Sequence, residues 1–416
     1  MMRLDLKQII SYAEILLMAS FFLKENLNSL AIILFSLLIL VQCIVIKGYI
    51  AFKKAIVIGL PLILYYLLSL IGIFVNQDSN NDYLVRLLPF LVSPIFIYYH
   101  VSSGSKKTAI NFFLLANVLF LIFLDILAIK DMIIANSLFI VEEGGKNYRF
   151  LYTRFTGNYF NHIYLSTYSL FSIALLFQFK IVKTNFLRNL LAAYLLLHIA
   201  LLGSRAVVIG ILIASLFSFI ALSILDKKNL KYLLGLLVAF LIASSVIYSY
   251  RNTLLMNRYA QAFEWWENKE LILKRDYSIN NRAKLYVIGF SMFEDLDRYD
   301  INGTGLAPNE IKRKYSSEFK DEFILKTITY NAHNQFINNF IDWGILGILL
   351  LCYLLFMTVK VSFANKLNWI AFFWLSFCII LMMESFLIRH RGIVFFVFFY
   401  TLFGYYKPQL RDDKLR

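Results

Sequence analysis

Apolar stretches of roughly 17–25 residues recur along the chain, divided by short charged connections, and that is the length a helix needs to cross hydrocarbon. In lipid every backbone polar group must be satisfied inside the structure, so a chain patterned this way is committed to membrane helices. A soluble core has no use for such regular punctuation. Hydrophobic residues make up 60% of the chain, above the roughly 45–50% of soluble domains. Spans are predicted at 9–23, 29–46, 55–75, 84–100, 109–130, 159–179, 186–203, 205–225, 230–250, 336–359, 367–387 and 391–406. The expected fold class is therefore an all-α polytopic membrane protein with about 12 transmembrane helices. The first span is the weakest, interrupted by Glu14. It runs at once into a second with no small-residue cleavage site, so a retained span is expected, not a cleaved signal peptide.

Charge orients the bundle. With the N-terminus cytoplasmic, the inner connections carry Lys47/Lys53/Lys54, Lys106/Lys107, Lys180/Lys183/Arg188, Lys227/Lys228/Lys231, Lys360/Lys366 and the tail from Lys407 to Arg416. The first two outer connections are nearly free of Lys and Arg. This is the positive-inside pattern, and an even number of spans returns the C-terminus to the cytoplasm. The net charge of +15 then reads as membrane topology, with no nucleic-acid partner expected. Residues 1–250 are expected to hold spans 1–9. Residues 251–335 form one large periplasmic loop between spans 9 and 10, and 336–416 hold the last three spans and a cytoplasmic tail. Long loops translocate largely regardless of charge. Apolar residues at helical spacing in 257–270 and 282–293 predict amphipathic helices lying on the surface. Another outer segment runs from about 131 to 158. No internal repeat of the kind that builds many transporters is visible.

On this topology several arginines fall on the outer side. Arg86 lies at the start of span 4, Arg149 and Arg154 before span 6, and Arg205 in the tight turn Leu202-Gly203-Ser204-Arg205. Arg251, Arg258, Arg275, Arg282 and Arg298 lie in the large loop, and Arg389 and Arg391 flank the last span. Guanidinium groups grip phosphate oxygens in a planar fork, and several converging would hold a pyrophosphate. An arginine at a helix end can also simply snorkel to lipid head groups. Arg205 is the strongest candidate, because its turn leaves it facing the bundle or the interface.

Of five histidines, His333 is the best placed, in Tyr330-Asn331-Ala332-His333-Asn334, with Gly344 and Gly347 just beyond. An unperturbed imidazole suits proton transfer near neutral pH; the alternative is a capping or packing histidine. His162 and His390 share the outer side. His100 and His198 fall in apolar surroundings. Glu384, five residues before Arg389, is expected to form a buried ion pair with it. No carboxylate pair has metal-ligand spacing, so no metal or other cofactor is expected. Cys43, Cys352 and Cys378 fall within apolar blocks as packing groups.

Four places in order carry a resemblance. They are Ser204-Arg205 opening a span, Arg282-Ala283-Lys284-Leu285-Tyr286 in the large loop, Gly303-Thr304-Gly305, and His333-Asn334 with Gly344 and Gly347. Glu384 through Phe398 adds to them. The chain resembles the O-antigen ligase and polymerase superfamily of bacterial membrane glycosyltransferases, by motif over the C-terminal part and by hydropathy elsewhere. The resemblance implies a GT-C-like inner-membrane enzyme with a periplasmic active site. Its donor would be a glycan on undecaprenyl pyrophosphate. Arg205 and Arg282 would bind the pyrophosphate, and His333 would be the general base; from their place on the outer side, Arg86 and Arg389 are expected to join the pyrophosphate ligands. Ser204, Asn334, Arg154 and Arg391 would support them. An acceptor hydroxyl on lipid A–core or another glycan would attack with inversion. A polymerase using the same donor is the close alternative. A protein O-oligosaccharyltransferase or a polysaccharide transporter is further off.

Overall fold

The computed structural model describes residues 5–75, 81–102, 107–142, 145–157, 159–225, 285, 288–292, 311 and 331–404. The helices are α1 Leu6–Ser20, α2 Glu25–Val45, α3 Tyr49–Val75, α4 Asn81–Ser102, α5 Lys107–Ile134, α6 Tyr152–Thr156, α7 His162–Phe179, α8 Asn185–Leu201 and α9 Arg205–Leu225. They continue with α10 Gln335–Ala364, α11 Asn368–Met383 and α12 His390–Gly404. Among the described residues, 6 helices are long and apolar enough to cross a membrane, and four shorter apolar helices accompany them. The chain is a helical membrane protein. The expected span at 230–250 and most of the large loop lie outside the described residues. Within 282–293, the described Leu285 and 288–292 are helical.

The all-α expectation and one span boundary need correction. In the outer segment at 131–158, strands β1 Phe139–Glu142 and β2 Gly145–Tyr148 form an antiparallel hairpin, so the fold departs locally from all-α. The span expected at 367–387 stops as helix at Met383. Glu384 is extended and a 3-10 turn spans Phe386–Ile388. Composition alone does not reveal this break, because Phe386, Leu387 and Ile388 are as apolar as the helix they follow.

The chain divides into two compact units. The first comprises Met1–Ala116, Ile288–Ala371 and Glu384–Arg416, and the second Asn117–Val287 and Phe372–Met383. In the first, α4 packs on α3 and α12, and α10 packs on α3 and α12. Its core is aromatic: Phe21 meets Phe113 with centroids 5.6 Å apart, and Phe113 meets Phe399 at 4.9 Å, edge-on as ring quadrupoles prefer. On α2, Leu30, Ile33, Leu37, Val41 and Ile44 are exposed at helical spacing, an apolar stripe that suits lipid contact. Cys43 is buried and Cys378 half-buried, while Cys352 is exposed, so the packing expectation does not hold for Cys352.

In the second unit, α7 packs on α8 and α9 and is buried on nearly every side. Phe171 of α7 meets Phe373 of α11 with centroids 4.7 Å apart. Gly210 of α9 allows a close backbone approach, since a Cβ there would meet Ser376 O at 2.8 Å. Small residues of this kind let membrane helices pack without a hydrophobic driving force.

Candidate active site

In the first unit two irregular segments meet, one just before α10 and one between α11 and α12. Three asparagines shape the former. Asn331 Oδ1 accepts from the His333 backbone N–H at 2.8 Å, an Asx turn. Asn334 caps α10, its Oδ1 accepting from the N–H groups of Phe336 at 2.9 Å and Ile337 at 3.2 Å. Those are two of the donors a helix start leaves without partners. Asn338, one turn inside α10, accepts from the Ala332 N–H at 3.0 Å. The cap is thus Asn334, and His333 is left to do something else.

His333 sits at φ 47. Lys47, Asn136, Lys180 and Lys366 also have positive φ, but each follows a helix C-terminus, where left-handed residues are common. His333 precedes a helix start instead. Such a conformation costs of order 1–3 kcal/mol, persists where its surroundings over-determine it, and collects at functional sites.

His333 Nδ1 lies 3.2 Å from Glu384 Oε2. The carboxylate is nearly buried, its side chain 9% exposed, while the imidazole is 23% exposed. The expected Glu384–Arg389 ion pair is therefore corrected. The chain leaves the helix at Glu384 and passes through a 3-10 turn, so sequence spacing no longer chooses the partner. Among the described residues the Arg389 side chain makes no ion pair or hydrogen bond, and it stands half-buried before α12. A neutral imidazole that donates Nδ1–H to a carboxylate carries its lone pair on Nε2, which is the nitrogen this arrangement makes basic.

Behind the pair lies a polar stripe that sequence reasoning missed. Gln335, Asn338, Asn339 and Asp342 follow the i, i+3, i+4, i+7 spacing of one helix face, and all are buried. The Gln335 amide accepts from the Leu387 N–H at 2.7 Å and donates to Asn339 Oδ1 at 2.8 Å. Tyr65 of α3 donates to Asn339 Oδ1 at 2.9 Å, and Tyr83 of α4 donates to Asp342 Oδ2 at 2.9 Å. Each bond matters, because a buried polar group left unpaired costs about 1–3 kcal/mol. The stripe ends where α10 breaks, at Trp343 and at Gly344 with φ 62 and ψ −151. Asn339 Nδ2 spans the break to Gly347 O at 3.3 Å. The polar spacing is legible in the sequence as a helix face; the break is not.

Other basic residues of this unit stand at helix ends. Arg86 is exposed in the first turns of α4. Arg391 donates to Leu23 O at 2.7 Å, and His390 Nε2 lies 3.1 Å from Ser29 Oγ.

In the second unit, Gly203 turns the chain with φ 57. Ser204 follows, buried, its carbonyl accepting from the N–H groups of Val207 and Val208 at 3.1 Å each. Arg205 opens α9, half-buried. The Ser204 hydroxyl has no hydrogen-bond partner among the described residues. Arg154 is exposed on the short α6, and Arg149 Nε donates to Ser137 O at 2.9 Å at the base of the hairpin. His198, expected on an apolar face, instead bonds Asp125 Oδ1 through Nε2 at 3.1 Å and Tyr194 O through Nδ1 at 2.9 Å. Arg282 lies outside the described residues, as do Arg251, Arg258, Arg275 and Arg298. Among the described residues, no group of three or more His, Cys, Asp or Glu side chains could hold a metal ion.

No curated protein matches the chain. A family model described as O-antigen ligase matches residues 190–352, a stretch that begins in α8, takes in Ser204, Arg205, Arg282, His333 and Asn334, and ends within α10. The residues that cap α10 and the turn that opens α9 thus lie inside the matched stretch, and over residues 190–352 the chain is similar to the O-antigen ligase family.

Proposed function

We propose that the protein transfers a glycan from undecaprenyl pyrophosphate to a hydroxyl acceptor, lipid A–core or a similar glycan, on the periplasmic face of the inner membrane. The observation that carries this is the His333–Glu384 hydrogen bond at a left-handed backbone position. A histidine positioned by a carboxylate and partly exposed is the arrangement a general base requires.

In the step proposed, Glu384 accepts the Nδ1–H of His333 and leaves Nε2 to take the proton of the acceptor hydroxyl. The hydroxyl oxygen forms its bond to the anomeric carbon as the bond from that carbon to the pyrophosphate oxygen breaks. Undecaprenyl pyrophosphate leaves with the electron pair, and attack from the opposite face inverts the centre. Charge grows on the leaving group, and fixed cations aimed at growing charge are the strongest form of electrostatic catalysis. Arg205 and Arg282 take that role, with Arg86 and Arg389 as further ligands and Ser204, Arg154 and Arg391 in support. The chemistry uses no metal. The family match supports glycosyl transfer; the donor, acceptor and residue roles are this proposal.

The test is the surface polysaccharide of a deletion strain complemented with wild type, His333→Ala or Arg205→Ala. Bare core with long polymer accumulating on undecaprenyl pyrophosphate identifies a ligase. Core bearing a single repeat identifies a polymerase with the same donor. Neither variant should complement although both are made at normal levels. Full complementation by both would sink the site assignment.

A further inference from the structure

His333 and Glu384 are 51 residues apart in sequence, and neither lies in a helix. Irregular segments drift unless something ties them together. One buried side chain touches both. Asn338 Oδ1 accepts the backbone N–H of Ala332, the residue before His333, at 3.0 Å. Its Nδ2 donates to the Oγ of Ser385, the residue after Glu384. The orientation of this amide follows from chemistry: a backbone N–H can only donate, so Oδ1 must face Ala332 and Nδ2 must face Ser385. Gln335 reinforces the second arm, holding Leu387 N–H at 2.7 Å from the preceding turn of the same helix face.

We infer that Asn338 is a positioning residue for the proposed reaction: its amide is a two-armed clamp that sets the distance between the His333 base and the Glu384 carboxylate. The clamp is rigid for three reasons. Asn338 is held on a helix, it is buried, and both of its polar atoms are engaged. The strained backbone of His333 adds to the argument, since a left-handed residue relaxes when its neighbours stop over-determining it. Loss of the Ala332 arm would release that strain and rotate the imidazole away from Glu384. Loss of the Ser385 arm would free the carboxylate. A second stripe residue, Asn339, bonds among the described residues only Tyr65, Gln335 and the carbonyl of Gly347, so it stiffens α10 without touching either segment. The inference rests on the reading of His333 as the base.

The experiment uses the full-length protein reconstituted in lipid nanodiscs. The probes are lipid-linked glycan as donor and lipid A–core as acceptor, both extracted from membranes of the deletion strain, and release of undecaprenyl pyrophosphate is followed at varied donor concentration with the acceptor fixed. Asn338→Leu removes both arms at similar volume, and Ser385→Ala removes one. The expected result for Asn338→Leu is a fall in kcat of about 10–100-fold, the cost of misplacing a catalytic group by about 1 Å, with the donor KM unchanged. Ser385→Ala should fall in the same direction by less. In a Glu384→Gln background, Asn338→Leu should cost no more than about a further twofold, because residues acting as one unit are not additive. A variant that merely loosened the fold would multiply its effect in full.

Full multiplication in the double variant, a raised KM at unchanged kcat, or wild-type turnover by Asn338→Leu would each overturn the clamp. If Asn338→Leu does not fold, Ser385→Ala decides by the same two readouts. His333→Ala separates the two levels of the argument. If it is inactive while Asn338→Leu behaves as wild type, the clamp alone falls. If it turns over normally, the base assignment falls and takes the clamp with it.

Discussion

Each unit of the molecule contains a histidine bonded to a carboxylate, and the two pairs are built differently. In the second unit His198 is 3% exposed and its partner Asp125 is 26% exposed. In the first, His333 is 23% exposed and its partner Glu384 is 9% exposed. His198 lies within α8 and bonds the carbonyl of Tyr194 one turn back, while the Tyr194 hydroxyl donates to Asp125 Oδ2 at 2.7 Å. Both of its ring nitrogens face acceptors, so the ring has none left for a substrate. That pair ties α8 to α5. His333 stands outside any helix, in strained backbone, with the carboxylate behind it and the ring partly exposed. A carboxylate–histidine bond by itself therefore does not distinguish the two. On the reading of His333 proposed above, burial of the acid, exposure of the imidazole and stored backbone strain make the difference.

The comparison breaks most sharply at the histidine. Substituting His333→Ala should lower transfer by about 10²–10⁴-fold, the usual worth of a general base, whereas Asp125→Ala should leave kcat unchanged. Equal losses of turnover in reconstituted protein would mean that the two pairs do the same work.

At the acids, Glu384→Gln should cost about a hundredfold in kcat or more, as when a base loses the carboxylate that fixes its tautomer. Asp125→Ala should instead appear in thermal melting. It leaves donors on the buried His198 and the half-buried Tyr194 unpaired, a loss of about 1–3 kcal/mol.

The break in α10 sharpens the contrast in backbone. Gly344, at φ 62 and ψ −151, occupies a region that side chains do not enter. Gly344→Ala should destabilise by about 1–3 kcal/mol and lower turnover with it, since the break ends the stripe that carries Asn338. Gly404, where a Cβ would meet nothing within 4 Å among the described residues, is the control, and Gly404→Ala should melt as wild type does. The smallest effect is expected at the cap: Asn334→Ala should cost about 1 kcal/mol, read in melting temperature, with only a minor loss of rate.

Much of the site is legible in the order of residues alone. His333-Asn334 ahead of an apolar span marks a helix start, and Asn334 does cap α10. Ser204-Arg205 reads as a tight turn between apolar spans, and it is one, with Gly203 left-handed. Glu384 is harder, because sequence spacing along a continuous helix points to Arg389, whereas the helix ends at Met383. The stripe of Gln335, Asn338, Asn339 and Asp342 carries a clear helical period, yet polar residues beside a charged loop read most simply as solvated. His198 reads as a packing residue because its partner Asp125 lies 73 positions away.

The sequence by itself determined the class of molecule. Hydropathy is a local property, and a helix in lipid satisfies its own backbone, so each apolar stretch declares itself without reference to the rest of the chain. Which carboxylate meets His333, and which amide holds the two together, only the tertiary structure decided. Those bonds join irregular segments at the ends of different helices, and their meeting depends on how α3, α4, α10 and α12 pack, which no local period encodes.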